Sequence, residues 1–324
     1  MNFTHDKPAR RRAFSLVEIL VAILVIGALL SILLVALGKA KVFAGSTKDL
    51  QSALTIKTGV EQFKEEFGFL PPMVRERFTT PMVLEGTPGQ IAVYSLRNPT
   101  HLAFLRTTPA LDALNPFQDD RYSELSLGYY LAGSLSANRG PGINLPIDGV
   151  SGPGLYAPRA DGTFDVPKDV ERAAGNAPGD TNRGGKKYDP FIPLTGRGLK
   201  VFTDPSNALA VTVRDDKDVP IRYYRWEHND GAQLMADMNV PRIVARVPGT
   251  IAGEILRPER DLSANPKVRD AQFAIVSAGP NGVFGDEDIT VITRALGGGD
   301  SPNADAERRL RLEAEKDNIV EVGR

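Results

Sequence analysis

The sequence predicts an α+β protein in which one long amino-terminal helix, transmembrane in its first half, packs on a small antiparallel β-sheet with long loop insertions. Three observations predict this fold. The stretch from Phe14 to Leu37 is apolar apart from Glu18. Apolar residues then recur at helical spacing as far as Phe67. Later segments are rich in β-branched and aromatic residues, which is typical of strands.

The overall composition limits the classes of function. A formal net charge of −1 gives no protein-wide basic surface, so we expect no nucleic-acid partner. The chain has no cysteine, which excludes disulfides, thiolate metal sites and a cysteine nucleophile. It has three histidines, His5, His101 and His228, and no paired-His zinc motif, nucleophile elbow or phosphate loop. The polar stretch 226–230 favours a strand end rather than an active site. We therefore expect no enzyme activity.

The first 38 residues divide into a basic leader and an apolar helix. Residues 1–13 hold four basic residues against one acidic residue, a formal +3, so this end should stay cytoplasmic. From Phe14 to Leu37 there are 24 residues. A helix of that length rises about 36 Å and can cross a bilayer once. We place the membrane-spanning segment at residues 14–38.

The apolar segment has two ordinary explanations. A cleaved secretory signal needs a shorter apolar stretch and a small-x-small site, for which residues 42–44 are a poor match. A plain signal anchor fits the length and the flanking charges. It explains Glu18 only if that residue lies near the membrane interface, because an acid deep in the membrane costs about 2.5 kcal/mol or more.

A third explanation comes from the stretch AFSLVEILVAILVIGALL, which resembles the amino-terminal signature of type IV prepilins and type II secretion pseudopilins. In that family a basic leader is cut before Phe-Ser/Thr-Leu-x-Glu, here residues 14–18. The resemblance implies cleavage between Ala13 and Phe14, N-methylation of Phe14, and Glu18 as the fifth residue of the mature chain. The family usually has Gly where this chain has Ala13, and alanine is its nearest substitute in size.

The resemblance also implies a role for Glu18. A carboxylate in hydrocarbon is unfavourable alone and tolerable beside a cation. Cleavage before Phe14 creates a terminal ammonium, which would meet Glu18 of a neighbouring subunit as helices stack into a filament. Phe14 and Glu18 are therefore the predicted docking residues, and they would set register and recruitment more than bulk stability.

Residues 39–70 continue the helix in amphipathic form. Apolar residues recur at steps of three, four and seven, and charged residues fall largely elsewhere around the helix. Gly68 followed by Pro71 and Pro72 predicts the end of the helix. The stretch VEQFKEEFGFLPP also resembles the end of the long helix in major pseudopilins.

Residues 71–324 are predicted to form the globular domain. Residues 98–108 and 119–133 have the composition of short helices. The range 136–198 is rich in Gly and Pro, which predicts a long loop insertion with little core of its own. Four runs are predicted as strands of an antiparallel sheet against the helix: 199–203, 208–214, 220–226 and 271–279.

A candidate calcium site lies in SAGPNGVFGDEDI. Asn281, Asp286, Glu287 and Asp288 supply the oxygen ligands that calcium prefers, and three glycines allow the bends. The stretch resembles the calcium-holding carboxy-terminal loop of major pseudopilins. A solvated acidic turn without metal is the alternative. The resemblance resumes at residues 316–319, so a charged helix is predicted as an insertion at about 295–315.

The resemblance implies a pseudopilin: a structural subunit of a periplasmic type II secretion pseudopilus that supports protein export. It favours the major type, and a minor subunit stays open because 311 residues, the 324 of the sequence without residues 1–13, is large for a major one. The expected location of the subunit is the bacterial inner membrane, crossed once, with the carboxy-terminal domain in the periplasm. The implied partners are the prepilin peptidase and methyltransferase, other pseudopilin subunits and the inner-membrane secretion platform. Two alternatives stay open: a type IV pilin of surface pili for adhesion, motility or DNA uptake, and a singly anchored periplasmic enzyme or binding protein.

Overall fold

The computed structural model describes thirteen parts of the chain and divides it into two compact units, residues 1–45 and residues 46–324. The residues described are 16–76, 91–94, 122–133, 138–140, 143–146, 150, 152–159, 164–165, 186–196, 198–205, 207–225, 271–297 and 304–324.

One helix, α1, runs from Leu16 to Phe67 and has 52 residues. Its first part makes up the described portion of the first unit, and its second part belongs to the second unit. The helix ends where the sequence predicts. Gly68 has a positive φ of 77°, a conformation that favours glycine, and its N–H donates to the carbonyl of Lys64 at 2.8 Å.

Among the residues that the structure describes, the second unit contains five antiparallel sheets. The largest has four strands in the order β13-β12-β11-β3, and a three-stranded sheet has the order β10-β9-β8. The others are the pairs β1-β2, β4-β5 and β6-β7. The strands are β1 Met73–Glu76, β2 Ile91–Tyr94, β3 Tyr122–Ser123, β4 Asn138–Gly140, β5 Ile143–Pro146, β6 Leu155–Tyr156, β7 Lys187–Tyr188, β8 Thr195–Gly196, β9 Leu199–Asp204, β10 Asn207–Arg214, β11 Arg222–Arg225, β12 Phe273–Ser277 and β13 Ile319–Gly323.

The four predicted strands correspond to β9, β10, β11 and β12, each within one or two residues of its predicted ends. Their polar flanks explain this accuracy. Asp204 and Pro205 lie at the turn between β9 and β10, and residues 215–221 separate β10 from β11. Turn-forming residues at these positions limit how far each strand can extend.

The core lies between the second half of α1 and the four-stranded sheet. On the helix, Ile56, Val60 and Phe63 recur at helical spacing and are completely buried. They share one hydrophobic cluster with Tyr223 and Phe273 of the sheet. The α+β architecture predicted from the sequence is thus confirmed, with the helix packed on an antiparallel sheet. Burial of such side chains stabilises the fold by about 1.5–3 kcal/mol each.

The predicted helix at 119–133 is wrong in its first half. Tyr122 and Ser123 form β3, which pairs with β11. The Ser123 hydroxyl accepts hydrogen bonds from the N–H groups of Leu125 and Ser126, so the chain turns before it becomes helical. A short π-helix then runs from Gly128 to Ala132. The other predicted short helix, residues 98–108, lies outside the described residues.

Two helices precede the last strand. Helix α2 spans Ile289–Leu296 and was not predicted. Helix α3 spans Ala304–Lys316, so the charged helix predicted at about 295–315 ends within one residue of its predicted end but begins nine residues later than predicted. Within the Gly/Pro-rich range 136–198, the described part contains β4 to β8 and contributes buried Leu155, Phe164 and Ile192 to the main core.

Candidate functional site

The first half of α1 presents a long surface of exposed apolar side chains. Every described large apolar side chain from Leu16 to Leu37 is at least 48% exposed. Among the described residues, one helix is long and apolar enough to span a membrane, by length and composition. A water-soluble monomer rarely exposes so large an apolar surface. This surface therefore requires lipid or other protein around it.

The predicted processing and docking residues lie at the start of this helix. Ala13 and Phe14 fall outside the described residues. Glu18 lies in the first turn of α1, and the structure describes its backbone only. Their roles stay predictions from the sequence.

A set of charged residues fixes α1 to the domain within the second unit. We call residues 215–219, the turn between β10 and β11, the hairpin clamp. The ammonium of Lys217 lies 2.6 Å from the carboxylate of Asp49 on α1, which is 1% exposed. The same ammonium donates to the carbonyl of Gly279 at 2.9 Å. One cation thus joins the helix, the hairpin clamp and the segment after β12.

A second ion pair of the hairpin clamp lies nearer to solvent. Lys48 of α1 and Asp216 approach to 2.6 Å, with side chains 45% and 30% exposed. The hydrogen bond from Lys48 lowers the pKa of the Asp216 carboxyl below its ordinary value. Because water screens exposed pairs, this contact positions the helix more than it stabilises it.

Asp215 shapes the hairpin clamp from inside. One of its carboxylate oxygens accepts hydrogen bonds from the N–H groups of Lys217 and Val219, both at 2.9 Å. The carboxyl group is buried, and its second oxygen has no hydrogen-bond partner. Burial raises the pKa of Asp215, although the Val219 hydrogen bond and the charge of Lys217 oppose the shift.

The predicted calcium ligands lie in residues 279–288, which we call the carboxy-terminal loop. Glu287 closes the loop on itself, because its two carboxylate oxygens accept the N–H groups of Phe284 at 2.7 Å and Gly285 at 2.8 Å. Asp288 caps the amino terminus of α2 and accepts hydrogen bonds from the N–H and hydroxyl of Thr290. Both acids therefore have structural roles in the loop.

The other two predicted ligands point to different partners. The side-chain oxygen of Asn281 accepts the N–H of Val283 at 3.0 Å, and its amide nitrogen donates to the carbonyl of Ala314 at 2.8 Å. Asp286 pairs with Arg222 of β11 at 2.7 Å. Among the described residues, no group of three or more His, Cys, Asp or Glu side chains is placed to hold one metal ion. Calcium binding in this loop stays a prediction.

Comparison with known proteins identifies the amino-terminal segment. Residues 8–34 match the protein-family model described as the prokaryotic N-terminal methylation motif. No curated protein and no solved structure matched the chain. The match covers the predicted cleavage point and the beginning of the exposed apolar helix. It supports a type IV pilin-like subunit, processed by a prepilin peptidase and assembled with other pilin-like subunits.

The methylation motif and the apolar helix together fit a single-pass, membrane-anchored, pilin-like protein. A motif of this kind indicates a structural subunit rather than an enzyme. Of the residues considered for catalysis, His5, His101, His228 and the stretch 226–230 lie outside the described residues.

The charged residues that hold the domain together were not predicted from the sequence. Lys217, Arg222 and Arg311 are each partnered across elements that are distant in the chain. A signal exists for Lys217, since Asp-Asp-Lys-Asp between two strands is unusually charged for a short turn. No local pattern distinguishes Arg311 from the other arginines of α3.

Proposed function

We propose that this chain is a pseudopilin, a structural subunit of a periplasmic type II secretion pseudopilus. The basic leader is removed between Ala13 and Phe14, Phe14 is N-methylated, and the mature subunits assemble through their amino-terminal helices into a filament that supports protein export. The carboxy-terminal domain lies in the periplasm, and the inner-membrane secretion platform builds the filament. The polypeptide itself performs no chemistry.

The observation that carries this proposal is the methylation motif at residues 8–34, which overlaps a helix whose described large apolar side chains are exposed from Leu16 to Leu37. Before assembly, lipid covers this surface. In a filament, the same surface is covered by the helices of neighbouring subunits. The exchange of lipid for protein leaves little net hydrophobic driving force, so a specific polar contact has to favour assembly.

Glu18 supplies that contact in the proposed filament. Its backbone lies in the first turn of α1, and Phe14, where cleavage would create the terminal ammonium, is four positions earlier in the sequence. At low dielectric, an acid without a cationic partner is strongly unfavourable, so a subunit in lipid gains from joining a neighbour that offers its ammonium. Removal of the acid should abolish this preference.

The hairpin clamp has a mechanical role in this proposal. In the proposed filament, force acts on a subunit through its helix and has to be transmitted to its domain. The Asp49–Lys217 pair joins the helix to the domain where the second unit begins to pack on α1. A buried ion pair resists displacement because separating the charges leaves each one desolvated.

The test compares Glu18→Gln with Glu65→Gln, a matched change at an exposed acid in the second half of the same helix. Both variants are expressed together with the prepilin peptidase and the secretion platform. Filaments are then sheared from the cells or pelleted from lysates and quantified by immunoblot. We expect Glu18→Gln to remain in the membrane fraction and Glu65→Gln to assemble as the wild type does.

Assembly of Glu18→Gln at the wild-type level would overturn the proposed docking role. A parallel measurement of secreted protein separates the two filament types. Loss of secretion in a strain lacking the chain supports the pseudopilin. Normal secretion with loss of surface pili would assign the chain to a type IV pilus instead.

A further inference from the structure

The guanidinium group of Arg311, a residue of α3, contacts the carboxy-terminal loop as a bound cation would. The residue is 3% exposed. One terminal nitrogen of its guanidinium donates to two backbone carbonyls of the loop, Gly285 at 3.0 Å and Glu287 at 2.7 Å. The other terminal nitrogen lies 2.9 Å from Glu307 on the same helix. Two carbonyl oxygens thus converge on one positive charge supplied by the protein.

Arg222 of β11 holds the same loop from the sheet. Its guanidinium lies between two aromatic rings, 4.0 Å from the centre of Tyr122 and 3.7 Å from that of Phe284. It donates to the Asp286 carboxylate at 2.7 Å. Cation–π contacts of this type are stronger when they are desolvated. The loop therefore contacts arginine side chains from two different elements, β11 and α3.

These contacts make the loop a poor calcium site. Calcium needs six to eight oxygen ligands, usually including several carboxylates that carry a net negative charge. Here the Asp286 carboxylate is paired with Arg222, and both oxygens of the Glu287 carboxylate accept backbone N–H groups of the loop. Two of the predicted ligand acids are therefore already engaged by the protein itself. Two loop carbonyls that could join a coordination shell, those of Gly285 and Glu287, already accept hydrogen bonds from Arg311.

Helix α3 is packed tightly enough to fix the position of Arg311. Gly285 has a φ of 97°, and a side chain there would come within 2.9 Å of the carbonyl oxygen of Arg311. Ala314 of the same helix accepts a hydrogen bond from Asn281, and Asn318 just beyond it donates to the carbonyl of Phe284 at 2.9 Å. The helix and the loop therefore form one closely fitted unit.

We propose that the carboxy-terminal loop is closed by two guanidinium groups in place of a metal ion, and that α3 is the element that delivers one of them. Loop and helix then fold together without calcium. This proposal is the alternative to the calcium site predicted from the sequence. It concerns the stability of the domain and holds whether or not the chain assembles into a filament.

The experiment uses the full-length chain in detergent micelles. After removal of metals, the wild type is melted with a chelator and with excess calcium chloride, and unfolding is followed by near-ultraviolet circular dichroism. Arg311→Lys keeps the charge but loses the planar fork of donors. Arg309→Lys makes the same change at an exposed position of α3 and serves as the matched control.

We expect the same wild-type melting temperature with chelator and with calcium. Arg311→Lys should melt at a temperature lower by about 5 °C or more, and Arg309→Lys should melt as the wild type does. Amide hydrogens of residues 283–288 should exchange faster in Arg311→Lys alone. Failure of Arg311→Lys to fold, with a folded Arg309→Lys, also supports the proposal. Stabilisation of the wild type by calcium, or equal melting of the two variants, would overturn it.

Discussion

The hairpin clamp gives the sharpest test of how α1 is fixed to its domain. Substituting Lys217 with methionine removes the ammonium and keeps most of the aliphatic side chain. The Asp49 carboxylate, 1% exposed, would then lose the cation that lies 2.6 Å away. The carbonyl of Gly279 would lose a donor at the same time.

The expected magnitude follows from the burial of the pair. Removal of one partner from a buried ion pair costs about 3–5 kcal/mol, because the remaining charge stays desolvated. The Lys217 side chain is 29% exposed, so water can reach the pair and the lower end of that range applies. We therefore expect a loss of about 3 kcal/mol in the free energy of unfolding, which lowers the melting temperature by roughly 6–12 °C.

The assay is thermal unfolding of the full-length chain in detergent, followed by near-ultraviolet circular dichroism. Lys48→Met is the matched control, since Lys48 makes an equally short ion pair in the same clamp but lies nearer to solvent. It should change the melting temperature much less. Adding Asp49→Asn to Lys217→Met should recover part of the loss, because the unpaired charge disappears. Equal effects of Lys217→Met and Lys48→Met, or no recovery in the double variant, would refute the reasoning.

Three further predictions concern the domain. Asp215→Asn removes a carboxyl group whose pKa is raised by burial in the folded protein. Because of that raised pKa, the wild type loses stability as the pH rises above 3.8, the ordinary pKa of an aspartate. The variant's stability relative to wild type should therefore increase with pH from that value up to the raised pKa of the folded protein and stay constant above it, in a series of melts. Phe63→Ala should lower the free energy of unfolding, measured with urea, by about 3–5 kcal/mol, because Phe63 is fully buried among four aromatic rings. Phe43→Ala, at a 75% exposed position, should lower it far less. Gly128→Ala should prevent close packing of the π-helix on β10, because a Cβ there would lie 2.2 Å from a backbone oxygen of that strand. Gly45→Ala, in an open helical position, should leave the melting temperature unchanged or slightly raised.

The long helix and the main strands could be predicted because their signals are local. Hydrophobic periodicity carries α1 as far as Phe67, and Gly68 ends it through a backbone conformation that glycine adopts readily. Strands β9 to β12 are bounded by turn residues that are visible in the sequence. Each of these features depends on neighbours within a few positions.

The start of the π-helix could not be predicted in the same way. The composition of residues 119–133 favours a helix, but pairing of Tyr122 and Ser123 with β11 outweighs local propensity. Ser123 also donates to the carbonyl of Val74, which is 49 positions away. Contacts at that distance in the chain leave no periodic pattern.

The carboxy-terminal loop shows the same limit for the candidate site. Its acids and glycines are of the residue types found in calcium-binding loops. Their spacing in the sequence, however, does not show which groups they contact in the fold. Arg222 and Arg311 reach the loop from positions 64 and 26 residues away, respectively. Whether an acidic loop holds a metal depends on the cations that the fold brings to it, and those come from outside the motif.

The central claim is that this chain is a processed, pilin-like filament subunit, and the amino terminus of the mature protein tests it most directly. Intact mass and amino-terminal sequencing should be done on protein extracted from the membranes of cells that contain the prepilin peptidase. The account predicts a chain of 311 residues, the 324 of the sequence without residues 1–13, that begins at N-methylated Phe14. An unmodified chain that begins at Met1 would contradict it.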